Sequence, residues 1–131
     1  MNVYVIGIGL IGGSLVLDIK ANYSNAVVYG IDKKEEHLNE ALALGVIDHK
    51  ATFSDLEKAD IVIVSIPVDA QLMVIPQVLD VINDNALLIF FCSLSYNDTS
   101  YDESRIFDLL PIKPRICSFY SVINSIRLNK S

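Results

Sequence analysis

The chain has 131 residues, a formal net charge of −6 and a pI near 4.7, a length that suits one domain with a real core. Hydrophobic residues make up 52% and mean hydropathy is +0.43, the balance of a parallel sheet buried on both faces. The acidic balance disfavours nucleic-acid phosphates as partners, and the longest apolar stretch, residues 86–92, falls far short of the roughly 20 needed to span a bilayer.

The first predicted element is a strand over residues 3–6, Val-Tyr-Val-Ile. It runs without a linker into Gly7-x-Gly9-x-x-Gly12, and an apolar helical pattern follows over residues 10–21. A G-x-G-x-x-G run carries a mechanism in that strand-to-helix context. Gly7 permits the tight turn off the strand. Gly9 has no Cβ, so backbone and pyrophosphate can approach closely, and Gly12 lets the helix pack against the sheet. The free N–H groups of a helix opening at Leu10 and Ile11 then face the phosphates.

Residues 22–25 read as a turn and residues 26–31 as the second strand. Asp32 follows it, twenty positions beyond Gly12, where a dinucleotide-binding fold places an acid on the adenosine ribose. A carboxylate there accepts hydrogen bonds from both ribose hydroxyls and repels a 2′-phosphate, which favours NAD over NADP. Two features compete with that reading. Asp32-x-x-Glu35 also fits a helix cap, and Lys33 and Lys34 can reach a phosphate or simply solvate a helix start.

A second helix is predicted over residues 34–44, with Leu38, Ala41 and Leu42 on one face, Glu35 and Glu36 in its first turn, and Gly45 as its stop. A short strand at Val46-Ile47 follows, then Ser54-x-x-Glu57 as a capping box on a one-turn helix. Residues 61–66 make the fourth strand. Ser65, Ile66, Pro67 and Val68 end it, on the edge where ligands bind in open parallel sheets. Residues 69–82 are helical in pattern, with a break expected near Ile75 and a second helix from Pro76. A turn at residues 83–85 leads to a fifth strand over residues 86–91. Such alternation calls for an α/β fold: a Rossmann-type, doubly wound parallel sheet in three layers, one domain, with strand order 3-2-1-4-5.

Composition changes after residue 91, dividing a dinucleotide-binding core (1–91) from an atypical tail (92–131). The tail holds Ser93, Ser95, Ser100, Ser104, Ser118, Ser121, Ser125 and Ser131, against four serines in the core. Ser100-x-x-Glu103 suggests a capped helix ending at Pro111, and residues 116–123 suggest one further strand. Cys92 and Cys117 have no metal or redox spacing and read as plain thiols in a reducing compartment. With no basic, apolar leader at the N-terminus, the expected location is cytoplasmic. His37, on the polar face of the second helix, and His49, in the turn after the third strand, read as surface residues. The acidic residues do not converge as a metal site requires.

The run Gly9-Leu-Ile-Gly-Gly-Ser14 resembles the N-terminal signature of prephenate dehydrogenases, NAD(P)-dependent enzymes of tyrosine biosynthesis. Gly30-Ile-Asp32, Ala43-Leu-Gly-Val-Ile-Asp48 and Ala59-Asp-Ile-Val-Ile-Val-Ser-Ile-Pro-Val68 are similar to the same family. The resemblance implies NAD-dependent oxidative decarboxylation of a small-molecule substrate, prephenate or arogenate. It also implies that the Ser65–Val68 loop runs beneath the ribose and nicotinamide. It fails after the fifth strand. The family has Asp-Val-Gly-Ser-x-Lys and later His-Pro-x-x-Gly; here only Ser93 matches, and no histidine follows His49. The family's helical dimerisation domain has no counterpart. The expectation is a truncated form that keeps the cofactor domain, with no catalytic residue assigned and self-association as a homodimer through an uncovered face. Two other classes stand beside it: a non-catalytic NAD(P)-binding module, and a dehydrogenase of the same half-fold acting on another small acid.

Overall fold

A computed structural model describes residues 1–90 and 116–118. In chain order these form β1 (Asn2–Ile6), α1 (Leu10–Asn22), β2 (Val27–Ile31), α2 (Glu35–Ala43), β3 (His49–Lys50), a 3-10 helix (Phe53–Lys58), β4 (Ile61–Val64), α3 (Val68–Val81), β5 (Leu87–Phe90) and β6 (Ile116–Ser118). All pairings are parallel, in the order β3-β2-β1-β4-β5-β6. The predicted order of five strands is reproduced, and β6 extends the sheet beside β5.

β1 lies in the middle because its apolar residues face two ways. Side chains alternate across a strand, so Val3 and Val5 join Val16 of α1, Leu38 and Ala41 of α2, and Ile63 in one core layer. Tyr4 and Ile6 join Leu56, Ile75, Val78 and Leu79 beneath the 3-10 helix and α3 on the opposite face. A parallel sheet covered on both faces reads as continuous apolar runs for this reason. Tyr4, Tyr29 and His49 stand in register on three adjacent strands. The Tyr4 and Tyr29 rings stack with centroids 4.6 Å apart, and the His49 ring lies tilted by 32° against Tyr29 at 5.3 Å.

Three predicted details are corrected. The third strand is His49–Lys50, not Val46-Ile47, so His49 lies in the strand. The Val46 and Ile47 N–H groups instead bond back to the Ala41 carbonyl at 2.9 and 3.4 Å, and Ile47 is a core plug. An edge strand is polar on both faces, so hydrophobicity marked the wrong pair. The cap of the one-turn helix is Thr52 with Asp55, not Ser54 with Glu57: the Thr52 N–H donates to the Asp55 carboxylate at 2.9 Å. Finally, α3 runs through Pro76 without a break. Proline removes one N–H and crowds the preceding turn, but Ile75, Val78 and Leu79 are buried on both sides of it and hold the helix against the sheet. The helix expected over residues 100–110, Ser93 and the thiol of Cys92 lie outside the described residues. Of the strand expected over residues 116–123, Ile116–Ser118 is present and pairs with Leu88–Phe90.

Candidate functional site

The C-terminal ends of β1, β2 and β4 open on a cleft of about 500 Å³. At its floor the three glycines meet three different demands. Gly7 has φ +84 and its N–H donates to the Ile31 carbonyl at 2.8 Å. A Cβ there would lie 2.5 Å from both the Ser65 carbonyl oxygen and Ile66 Cγ2. Gly12 is pressed against the turn, where a Cβ would lie 3.0 Å from the Gly7 oxygen and from Ser65 Cβ. That is the close helix–sheet packing expected of it. Gly9 differs from both. Its backbone is extended (φ −97, ψ −172), and among the described residues, its chain neighbours aside, a Cβ would meet no atom within 4 Å. Neither the backbone nor the packing of the described residues requires glycine at position 9. A group entering the cleft would.

Gly9 is also the residue before α1, whose N-terminus carries no side-chain cap and no acid in its first turn. Uncapped N–H groups with the positive end of the helix dipole are the chemistry that receives an anion. Leu10 and Ile11 supply the backbone of that turn.

Asp32 closes the cleft beyond β2. Its Oδ1 accepts the Lys34 N–H at 2.9 Å and its Oδ2 the Ile8 N–H at 3.1 Å. His37 Nδ1 lies 3.3 Å from Oδ2. Partial burial pushes the Asp32 carboxyl up; the N–H groups of Lys34 and Ile8, with His37, outweigh it and hold the group below its ordinary range. Lys34, not Asp32, is the N-cap of α2, and Asp32 and Glu35 do not form the reciprocal capping box. Asp32 binds the N–H of Lys34 at the start of α2, while Glu35 pairs with Lys50 at 2.6 Å.

The lowered value carries a sign. A carboxyl whose folded pKa lies below its unfolded one contributes stability above about pH 4, lost as pH falls through the folded value. We therefore expect the urea midpoint to fall on acidification from pH 5 towards pH 2, and Asp32→Asn to flatten part of that fall. An equally steep fall in Asp32→Asn would show that the contacts of Asp32 contribute nothing.

The loop after β4 forms the other wall. The Ser65 N–H donates to the Ile6 carbonyl at 2.8 Å, and buried Gln71 of α3 donates from Nε2 to the Ile66 carbonyl at 2.8 Å. Gln71 is fully enclosed, and its amide ties the loop to the helix it enters. Of the predicted site residues, Gly7, Gly9, Asp32, Ser65, Ile66 and Pro67 line the cleft. Gly12 lies beneath the turn, and Val68 opens α3. Ile8, Ala70 and Val74, which carry no sequence signal of a site, also line it, as do Phe53 and His37, the latter marked by the sequence only as a surface residue. Phe53 was within reach of sequence reasoning, since it follows β3 at the ligand edge of the sheet. Among the described residues no three His, Cys, Asp or Glu side chains gather as a metal site would require, and no helix is long and apolar enough to cross a membrane.

Residues 15–95 match the family model of the prephenate dehydrogenase nucleotide-binding domain. The chain belongs to that family. The prephenate dehydrogenase of Bacillus subtilis is 41% identical over 73 residues, covering 54% of this chain and 20% of the relative. That of Lactococcus lactis is 34% identical over 77 residues, covering 58% and 22%. The chain thus spans about a fifth of the length of these curated relatives. The same fold occurs in the prephenate dehydrogenase of Aquifex aeolicus, solved in complex with hydroxyphenyl propionate and NAD+. It has a TM-score of 0.73 at 23% identity, over 90% of this chain and 40% of that one. Synechocystis arogenate dehydrogenase gives a TM-score of 0.65 at 21% identity, over 76% and 35%. The family match begins three residues past Gly12, so the glycine turn stands on its own geometry.

Proposed function

We propose that this chain binds NAD in the cleft and serves as the cofactor-holding part of a prephenate or arogenate dehydrogenase. The observation that carries the reading is the space at Gly9, free of atoms of the described residues and adjoining the uncapped end of α1 with Asp32 across the cleft. Leu10, Ile11 and Gly9 would hold the pyrophosphate by backbone N–H groups, and Gly7 and Gly12 would set the turn that presents them. Asp32 would take the adenosine ribose. Ser65, Ile66, Pro67 and Val68 would run beneath the nicotinamide half, kept in place by Gln71.

When bound, NAD supplies the hydride acceptor for oxidative decarboxylation of a small-molecule acid. The chain's own contribution is position. Its two histidines are His37, on Asp32, and His49, in edge strand β3. Neither stands at the β4 end, where a proton acceptor for substrate would be needed. That placement supports a second reading, a module that binds NAD without turnover by itself. Either reading sets the chain in tyrosine biosynthesis in the cytoplasm, with a homodimer as its own partner and no role for nucleic acid or membrane. The acidic charge supports the last point only as far as nucleic acid is concerned.

NAD should bind more tightly than NADP, and Asp32→Ser should narrow the difference by on the order of 1–3 kcal/mol, the discrimination of a carboxylate facing a 2′-phosphate. Calorimetric titration of both cofactors into both proteins checks this. Tighter NADP binding by the parent chain, or an unchanged ratio in Asp32→Ser, would remove the ribose role.

A further inference from the structure

Asp32 holds more donors than its proposed role leaves room for. An ionised carboxylate offers roughly four acceptor positions, two on each oxygen, and no donor. Oδ2 has both filled, by the Ile8 N–H at 3.1 Å and by His37 Nδ1 at 3.3 Å. Oδ1 has one filled, by the Lys34 N–H at 2.9 Å. One position is left, and a ribose has two hydroxyls to donate.

The three donors differ in what it takes to dislodge them. Ile8 and Lys34 donate from the main chain of the two turns that shape the cleft. His37 donates from a side chain in the first turn of α2, 45% exposed, onto a carboxylate that is only 11% exposed. Because the carboxylate can only accept, Nδ1 carries the proton in this contact.

The displaced ring also has somewhere to go. His37 borders both the cleft and a second groove of about 350 Å³ between α1 and α2. Glu40, one turn further along α2, lines that groove and can accept the same proton.

We infer that His37 is a cofactor-discriminating residue that competes with the adenosine ribose for Asp32. The inference rests on the NAD reading above. NAD must move the ring off Oδ2 to make its second ribose hydrogen bond. A 2′-phosphate has no hydrogen to give at that position, so NADP gains nothing from moving the ring and keeps His37 as a donor beside it. His37 therefore weakens NAD binding selectively and narrows the preference that Asp32 creates.

The test is calorimetric titration of NAD and NADP into the parent chain, His37→Ala and His37→Gln, with circular dichroism as the control for folding. His37→Ala should bind NAD roughly 2- to 10-fold more tightly, the range of one net hydrogen bond. Its NADP affinity should stay the same or fall, so the ratio widens. His37→Gln keeps a side-chain donor and should return towards the parent ratio, which loss of helix structure would not produce. A folded His37→Ala with equal or weaker NAD binding, or with an unchanged ratio, overturns the inference and leaves the NAD reading standing. A parent chain that binds no NAD overturns both.

Discussion

Gly9→Val is expected to abolish NAD binding while leaving the domain folded. The two halves of that expectation come from one observation. Position 9 has extended backbone that a β-branched residue adopts readily, and its Cβ would meet no atom of the described residues beyond its chain neighbours within 4 Å. A valine there should cost on the order of 1 kcal/mol, the loss of a favourable helix N-cap residue, which leaves the domain folded. The same side chain would fill the space in front of the α1 N-terminus that is proposed above for the pyrophosphate. At the upper end of the roughly 1–3 kcal/mol that overfilling a close contact typically costs, affinity should fall on the order of 100-fold. Titration of NAD alongside circular dichroism checks both halves. Retained affinity in a folded variant would mean that the phosphates bind elsewhere.

Gly7→Ala, two residues away, should give the opposite signature, a large loss of stability. Here φ is +84, and the new Cβ would sit 2.5 Å from the Ser65 carbonyl oxygen, a backbone atom that cannot swing aside. Left-handed strain and the clash together should cost roughly 2–5 kcal/mol, a large part of the 5–15 kcal/mol that typically stabilises a domain. Urea denaturation measures it directly. An unchanged midpoint would show that the β1–α1 turn relaxes at little cost and is not the fixed cradle described above.

Much of this site is visible in residue order because it is built from features that leave local marks. The glycine turn needs small residues at fixed offsets, and Asp32 must end a strand. Buried parallel strands are apolar throughout, so 26–31, 61–66 and 86–91 were found within one or two residues at either end. The third strand was missed because it lies at the edge: His49 and Lys50 are exposed and polar, while apolar Ile47 is a core plug outside the sheet. Pro76 was misplaced because its local preference for a break is overruled by tertiary burial of Ile75, Val78 and Leu79. His37 was correctly read as exposed, yet its place at the cleft depends on how α2 starts. Lys34 precedes the helix, and the His37 N–H bonds to the Lys34 carbonyl at 3.1 Å. That turn carries the ring back over Asp32. The five-residue spacing from Asp32 to His37 is the only sequence trace of it. Gln71 left a clearer one, a lone amide in the apolar first half of α3.

The central claim is that NAD occupies the cleft formed by the glycine turn, Asp32 and the β4–α3 loop. Amide chemical-shift mapping of the full chain during NAD titration tests it most directly. The largest changes are expected on Gly7, Gly9, Leu10, Ile11, Gly12, Asp32, Ser65 and Ile66, with smaller changes on β3 and the far end of α1. Saturable changes centred elsewhere, or none at millimolar NAD, would contradict it.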